Sequence, residues 1–381
     1  MLLGCRYLFA REGSAFTCAR EEKIFFISLS LLTLTAVISG IVNDFDFARL
    51  DRLSLPMLAI PVYYFYRNNP VNEGALWIGL VGGAVGAGTV GLYQVLAVNA
   101  AERADGITNA IMFGDISLAM GLMAMAGSGW FVKQHRWGII FPVLGLTLGL
   151  LASALSQARG GWLALPAAIA LFIWISAKHI STARLLSALV LAAVAISVIY
   201  HTPQFKVKDR VELTITNWHS YLESDSTDDE VRISSLGIRL DMWKTSWYIF
   251  RESPLLGVGW GSYSSHAEKY VAQDIVIERV AAFPHPHNQF LSALAKGGLS
   301  GLLAVLLTFA IPLVMFYRLL VSDQSSTEAK RFALAGLVFL FSFMAFALTE
   351  AVFERSRIMT FFAFYLVVFM ALMHSSKNPG R

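Results

Sequence analysis

Residues 138–156 read GIIFPVLGLTLGLLASALS, and residues 332–349 read FALAGLVFLFSFMAFALT; neither run holds a charged side chain. About 20 consecutive apolar residues are needed for a helix to cross ~30 Å of hydrocarbon. Working outward from these two stretches, comparable runs lie at 24–42, 53–66, 75–98, 108–131, 161–177, 185–200, 289–317 and 358–374. The composition agrees. The chain has 381 residues, 56% hydrophobic and only 15% charged, against about 25% charged in soluble proteins, and its mean hydropathy is +0.58. A disordered chain, a disulfide scaffold and an ordinary cytosolic enzyme are excluded. The reading predicts an all-α polytopic membrane protein of about ten transmembrane helices, with run 53–66 short and run 289–317 long enough to tilt or to begin outside the membrane.

Lys and Arg in short loops set orientation. One alternate set of loops holds Arg6, Arg11, Arg20, Lys23, Arg67, Lys133, Arg136, Lys178, Arg184, Arg318, Lys330, Arg331, Lys377 and Arg381. The other short loops hold only Arg49, Arg52, Arg103, Arg159, Arg355 and Arg357. The richer set is expected in the cytoplasm, which places both termini there. The net charge of +4 is scattered over these loops, so no nucleic-acid partner is expected. Cys5 and Cys18 precede the first run and are expected to stay reduced. Run 24–42 is longer than the 7–15-residue core of a signal peptide and lacks a small-residue cleavage site, so it reads as a span. The domain reading is an N-terminal bundle of seven spans over 1–200, a periplasmic loop over 201–288 and a C-terminal bundle of three spans over 289–381.

Loops beyond about 15 residues are usually functional or disordered. Within 201–288, residues 224–230 are acidic and polar and read as a strap. Ser234 or Ser235 then caps a helix to about Arg251, whose Ile238, Met242, Trp243, Trp247 and Phe250 recur at three- and four-residue steps, the pattern of an amphipathic helix on an apolar surface. Ser253-Pro254 stops it. The glycines of 257–261 do not make a dinucleotide fingerprint, because no strand–turn–helix unit surrounds them. They read as a flexible turn that lets the backbone at Gly259, or Trp260 and Tyr263, meet a ligand, although interface anchoring is the commoner use of such rings.

Three pieces fall in register: Ser156-Gln157-Ala158-Arg159-Gly160-Gly161; Arg239 followed by Ser253-Pro254-Leu255-Leu256-Gly257-Val258-Gly259-Trp260-Gly261; and His285-Pro286-His287-Asn288-Gln289-Phe290-Leu291 followed by Gly297-Gly298-Leu299-Ser300-Gly301. Together they resemble the O-antigen ligase and polymerase superfamily of bacterial envelopes, by motif over 103–317 and by topology over the whole chain. The resemblance implies a lipid-carrier-dependent glycosyltransferase of the inner membrane, with a site open to the periplasm. Its donor is a glycan on undecaprenyl diphosphate and its acceptor a lipid A-core hydroxyl; membrane lipids surround it. The ligases have about twelve spans where this chain shows ten, so polymerase, with a second carrier-linked glycan as acceptor, stays open. A polysaccharide transporter is the rival of another class, disfavoured because charges within spans are few and no broken-helix pairs repeat between halves.

Such a donor is already activated, so the chemistry needs cations for the leaving diphosphate and a base for the attacking hydroxyl. Arginine binds phosphate through a fixed two-point fork; Arg159, beside Gly160 and Gly161 at the membrane edge, and Arg239 are the candidates, against ordinary roles as a snorkelling loop cation and a helix charge paired with Asp241 or Glu252. Histidine titrates near neutral pH when unperturbed, which suits His287 as the base, with Asn288 expected to cap the following helix and fix the ring's approach. His285 is the weaker candidate, its ring expected to point like that of His287 because Pro286 extends the chain. No cofactor and no metal are expected, since no carboxylate cluster in the local sequence completes a ligand shell around the two histidines. Asp115, Arg103, Glu350 and Glu354 are accessory candidates, charged groups in or beside spans being functional hypotheses by default; Lys269 and Arg279 are weaker ones for anionic core groups.

Overall fold

The computed structural model describes residues 19–98, 103–176 and 233–377, with a few single residues between 176 and 233. The run 185–200, the acidic stretch 224–230 and both cysteines lie outside the described residues. Every regular element among the described residues is helical. In chain order these are α1 (Arg20–Val42), α2 (Leu50–Leu53), α3 (Leu55–Leu58), α4 (Ile60–Asn68), α5 (Glu73–Tyr93), α6 (Ala110–Ala126), α7 (Ser128–Gln134), α8 (Ile140–Leu155) and α9 (Ala164–Ser176). After the break come α10 (Ser235–Glu252), α11 (Tyr263–Val271), α12 (Gln289–Val321), α13 (Thr327–Ala347) and α14 (Ser356–Lys377). Short 3-10 turns at Arg159–Leu163, Glu278–Ala282 and Val352–Glu354 lie between them.

Five described helices are long and apolar enough to cross a membrane, or six if the bent pair α6–α7 is one span. The protein is thus polytopic. The expected run 53–66 is divided among α2, α3 and α4, where Pro56 and Pro61 each open a new helix. Proline is tolerated in a first turn and breaks a helix interior. α8 and α9 are apolar but shorter than a full crossing. α12 is broken at Gly298, which has φ 60 and ψ −157. Run 289–317 therefore starts as a separate short helix that turns into the longer one.

The termini of the helices are set by local chemistry. The Asn72 side chain accepts from the Gly74 amide, that of Asn109 from Met112, that of Ser326 from Ala329. Arg67 in the last turn of α4 pairs with Glu22 in the first turn of α1 at 2.7 Å, and Arg331 near the start of α13 pairs with Glu73 at the start of α5 at 2.7 Å. α12 packs on α1 and α13, α13 on α6, α9 and α14, and α14 on α4, so helices from before and after the loop share one hydrophobic core. Its centre is aromatic: Phe339 stacks on Phe362 at 5.6 Å and Phe309 on Phe353 at 5.3 Å.

The loop segment has its own small core around Met242, Ile249, Tyr263 and Val280. Helix α10 forms where expected, with Ser234 accepting from the Gly237 amide. Its buried face matches the expected stripe in part: Met242 is buried, with Ile238 and Trp243 packed on the same core. Asp241, Met242, Thr245, Ser246 and Ile249 are buried, whereas Trp247 is half exposed. The Thr245 and Ser246 hydroxyls donate to the carbonyls one turn back, which satisfies them inside α10 and lets that face lie against α12. α10 is thereby a protein-packed helix.

Candidate functional site

The site lies where the ends of α8 and α13 and the starts of α6, α12 and α14 meet the loop segment. His287 Nδ1 is 3.0 Å from Glu350 Oε2, and His285 Nε2 is 3.5 Å from Glu350 Oε1. An ionised carboxylate only accepts, so His287 donates from Nδ1, which leaves Nε2 on the far side of the ring from Glu350. The Ala351 amide donates to Glu350 Oε1 at 3.1 Å, and Arg355 stands 3.6 Å from the same oxygen. Burial alone would raise the Glu350 carboxyl, but the His287 hydrogen bond, the two imidazoles and Arg355 hold it down at about 2. Burial pushes the His285 ring down to about 4 against the pull of Glu354 and Glu350.

His287 is held by its backbone. It has φ 49, in the left-handed region, so the chain turns between the two histidines. Their rings meet edge to face, 79° apart with centroids at 4.8 Å. This corrects the expectation that Pro286 leaves them pointing alike: His285 is buried and His287 keeps 16% of its side chain exposed. Asn288 caps α12 as expected, accepting from the Phe290 and Leu291 amides at 3.0 Å each, and it also donates to the Leu348 carbonyl at 3.1 Å. One residue thus fixes the end of α13, and with it Glu350, to the start of α12.

Arg103, Arg159 and Arg239 line one cavity of about 600 Å³, together with Asp115, Gly161 and Thr349. Its lining does not include His287; the link runs through Thr349, next in the chain to Glu350. Arg239 is buried enough for desolvation to lower its proton affinity, and the Glu350 carboxylate partly restores it. Arg103 also donates to the Ser156 carbonyl at 2.8 Å. Glu252 instead engages Lys269 at 3.0 Å and Tyr270, and Asp241 accepts from the Ile277 amide. The glycines beside Arg159 serve packing as well as access: a Cβ on Gly160 would meet Thr349 Oγ1 at 2.3 Å, and one on Gly161 would meet Asp115 Oδ1 at 2.3 Å. Asp115 is buried in this wall, and neither carboxylate oxygen has a hydrogen-bond partner among the described residues.

Other candidates turn out to be structural. Trp260 is 1% and Tyr263 0% exposed, so neither offers a ring to a sugar. Trp260 lies against Gly297 and Gly301, and the Tyr263 hydroxyl donates to the Met242 carbonyl at 2.9 Å. The turn at 257–261 is locked onto the break in α12. The Gly259 amide donates to the Lys296 carbonyl at 3.0 Å, and Gly257, with φ 68, leaves a Cβ only 2.2 Å from Lys296 carbonyl carbon. Glu354 is buried with Lys296, whose Nζ is 2.6 Å away, and with Ser292. Lys269 pairs with Glu252, and Arg279 lies over the Phe283 ring at 6.0 Å. Lys296, Thr349 and Arg355 were not anticipated, although a lysine inside an apolar run is itself a signal of function or of a buried pair.

The local sequence shows no carboxylate beside the histidines, yet folding brings one there. His285, His287 and Glu350 form a group whose ligand atoms lie within 4.8 Å of one another. Those are candidate metal donors, but both Glu350 oxygens already face hydrogen-bond donors and Arg355 competes for the carboxylate.

The described residues thus form a polytopic helical bundle that carries an arginine-lined cavity close to a histidine–carboxylate pair. Residues 144–306 match the family model described as O-antigen ligase. The segment holding Arg159, Arg239 and His287 is therefore similar to the O-antigen ligase family, in line with the resemblance of its motifs. A Haemophilus influenzae protein described as uncharacterized is 25% identical over 323 residues, which cover 84% of this chain and 79% of the relative. The likeness thus extends over most of the chain, to a bacterial relative.

Proposed function

We propose that the protein joins an O-antigen, carried on undecaprenyl diphosphate, to a sugar hydroxyl of lipid A-core at the periplasmic face of the inner membrane. The observation that carries this reading is the convergence of Arg103, Arg159 and Arg239 on one cavity whose wall continues through Thr349 into the Glu350–His287 pair. The cavity suits a diphosphate, because guanidinium forks match phosphoryl oxygens and never deprotonate. His287 Nε2 takes the proton of the acceptor hydroxyl. The hydroxyl oxygen forms the new bond to the anomeric carbon as the bond to the diphosphate breaks, and undecaprenyl diphosphate leaves with the electron pair into the arginine field. A single displacement inverts the anomeric carbon. Glu350 fixes the ring and supports its positive charge, as the acid does in Ser-His-Asp sites.

The donor carries its own leaving group, so neither nucleotide nor divalent metal is required. Purified protein, donor and acceptor react in the presence of EDTA; loss of turnover that zinc or magnesium restores refutes this. Ligase and polymerase differ in the acceptor, and a deletion strain separates them. Carrier-linked polymer that accumulates while lipid A-core stays bare identifies the ligase, whereas accumulation of single repeat units identifies the polymerase and overturns the acceptor assigned here.

A further inference from the structure

A second cavity, of about 450 Å³, lies beside the first, lined among others by Arg49, Arg52, Arg355, Arg357, His285 and Glu354. The two are neighbours: successive residues of α6, Ile111 and Met112, line one each, and Glu350 touches His285 of this cavity while following Thr349 of the other. Arg49, Arg52, Arg103, Arg159, Arg355 and Arg357, the arginines of the charge-poorer short loops, thus all line one or other cavity. Four of them meet here with fewer carboxylates than cations: Arg355 stands 3.6 Å from Glu350, which it shares with the histidines. Glu354 is matched by Lys296 at 2.6 Å. Glu350 is engaged by His287. Asp51 is 71% exposed and only reaches 3.6 Å from Arg52. Arg49 Nε and Arg52 Nε are buried without a hydrogen-bond acceptor, while Arg52 donates from Nη1 to the Glu354 carbonyl at 2.6 Å. Buried donors and excess charge of this kind are costly unless a ligand satisfies them. The approach is apolar: Phe45 is 70% and Phe47 43% exposed just before Arg49, and Ile107, whose carbonyl accepts from Arg357 at 2.9 Å, is 93% exposed.

We propose that this second cavity seats the acceptor glycolipid by a phosphoryl group on its lipid part. Arg49, Arg52 and Arg357 bind the phosphoryl oxygens and the exposed phenylalanines lie along the acyl region. Donor and acceptor would then be anchored in adjacent arginine cavities, on either side of the two histidines and Glu350. The inference rests on the transfer reaction proposed above for the identity of the ligand; the binding of a lipid phosphate does not. A free phosphate would bring the same oxygens without the acyl contact, so the two sources separate experimentally.

The test has two arms. In the first, purified protein in neutral detergent is titrated with didecanoyl phosphatidic acid, didecanoyl glycerol and inorganic phosphate, and binding is read by native mass spectrometry. Phosphatidic acid is expected to bind, the neutral lipid not, and inorganic phosphate more than tenfold more weakly. Arg49→Gln and Arg52→Gln are each expected to weaken the lipid about tenfold, the size of one charge-assisted hydrogen bond, with Arg49→Lys keeping most of the affinity and an unchanged thermal midpoint reporting the fold. Equal binding of both lipids, or variants that bind phosphatidic acid like wild type, overturns the site; tight binding of inorganic phosphate alone makes it a free-anion site and overturns the acceptor assignment. In the second arm, transfer is measured with a phosphorylated acceptor and with the same acceptor after phosphatase treatment. The variants are expected to raise KM for the phosphorylated acceptor about tenfold while leaving donor KM and the rate on the dephosphorylated acceptor unchanged. A rise in donor KM instead assigns the cavity to the donor and overturns the proposal. Lipid-phosphate binding that depends on Arg49 without transfer to any acceptor refutes the transferase reading while the site stands.

Discussion

Glu350→Gln isolates what the carboxylate does for His287. Glutamine has nearly the same shape, and its carbonyl oxygen can still accept from His287 Nδ1, so the 3.0 Å contact survives and the charge is lost. When His287 takes up the acceptor proton, the imidazolium and carboxylate form an ion pair inside a buried site, Glu350 being 1% exposed. Two unit charges about 4 Å apart at an effective dielectric of ~20 interact by about 4 kcal/mol, and every ~1.4 kcal/mol is a factor of ten in rate. Turnover at saturating donor and acceptor is therefore expected to fall about a thousandfold, and donor KM to change little, because the diphosphate is held by Arg159 and Arg239. The assay is initial-rate transfer by purified protein, with gel separation of extended and unextended acceptor and a thermal unfolding check in the same detergent. A Glu350→Gln protein that retains a tenth or more of wild-type kcat refutes the pairing of His287 and Glu350 as the base. So does a loss confined to donor KM.

His287→Ala is expected to lower turnover roughly a hundredfold or more, and His287→Asn, which tolerates the left-handed backbone at φ 49, should lose as much; if asparagine restores turnover, the residue's part is conformational. His285→Ala should be milder in kcat, and equal loss at both positions assigns the base to the pair. Arg159→Lys is expected to be nearly as harmful as Arg159→Ala, since lysine keeps the charge and loses the planar fork; recovery of most turnover by lysine makes Arg159 a simple headgroup cation. Stability in detergent should fall as pH drops from about 6.5 towards 4. The unfolded chain takes up a proton on His285 that the folded ring, at about 4, refuses, which is worth about 2 kcal/mol by pH 5. Below about 4.5 the depressed Glu350 carboxyl adds a loss of the same sign. Unfolding midpoints from pH 7 to 4 for wild type and His285→Gln test this, and an unchanged slope in the variant refutes the burial of His285 as its cause.

What could be read in the chain by itself was whatever rests on local spacing. Long apolar runs specify membrane helices because lipid leaves the backbone no other way to satisfy its hydrogen bonds, and Ser234 and Asn288 specify helix starts because a cap needs only the next few amides. Arg159, Arg239 and His287 stood out because phosphate and proton chemistry need those residue types beside conspicuous glycine and proline turns. The tertiary structure decided what spacing cannot encode. Glu350 lies 63 residues from His287 and reaches it only because α13 packs on α12 and Asn288 ties their ends together. Trp260 and Tyr263 look like sugar platforms in a glycine-rich turn, yet the left-handed break at Gly298 opens the groove into which that turn folds, and both rings are buried. Arg49, Arg52, Arg355 and Arg357 come from two distant loops. Their shared cavity exists because the helices that carry them end at the same level of the bundle, a fact about packing that no single loop contains.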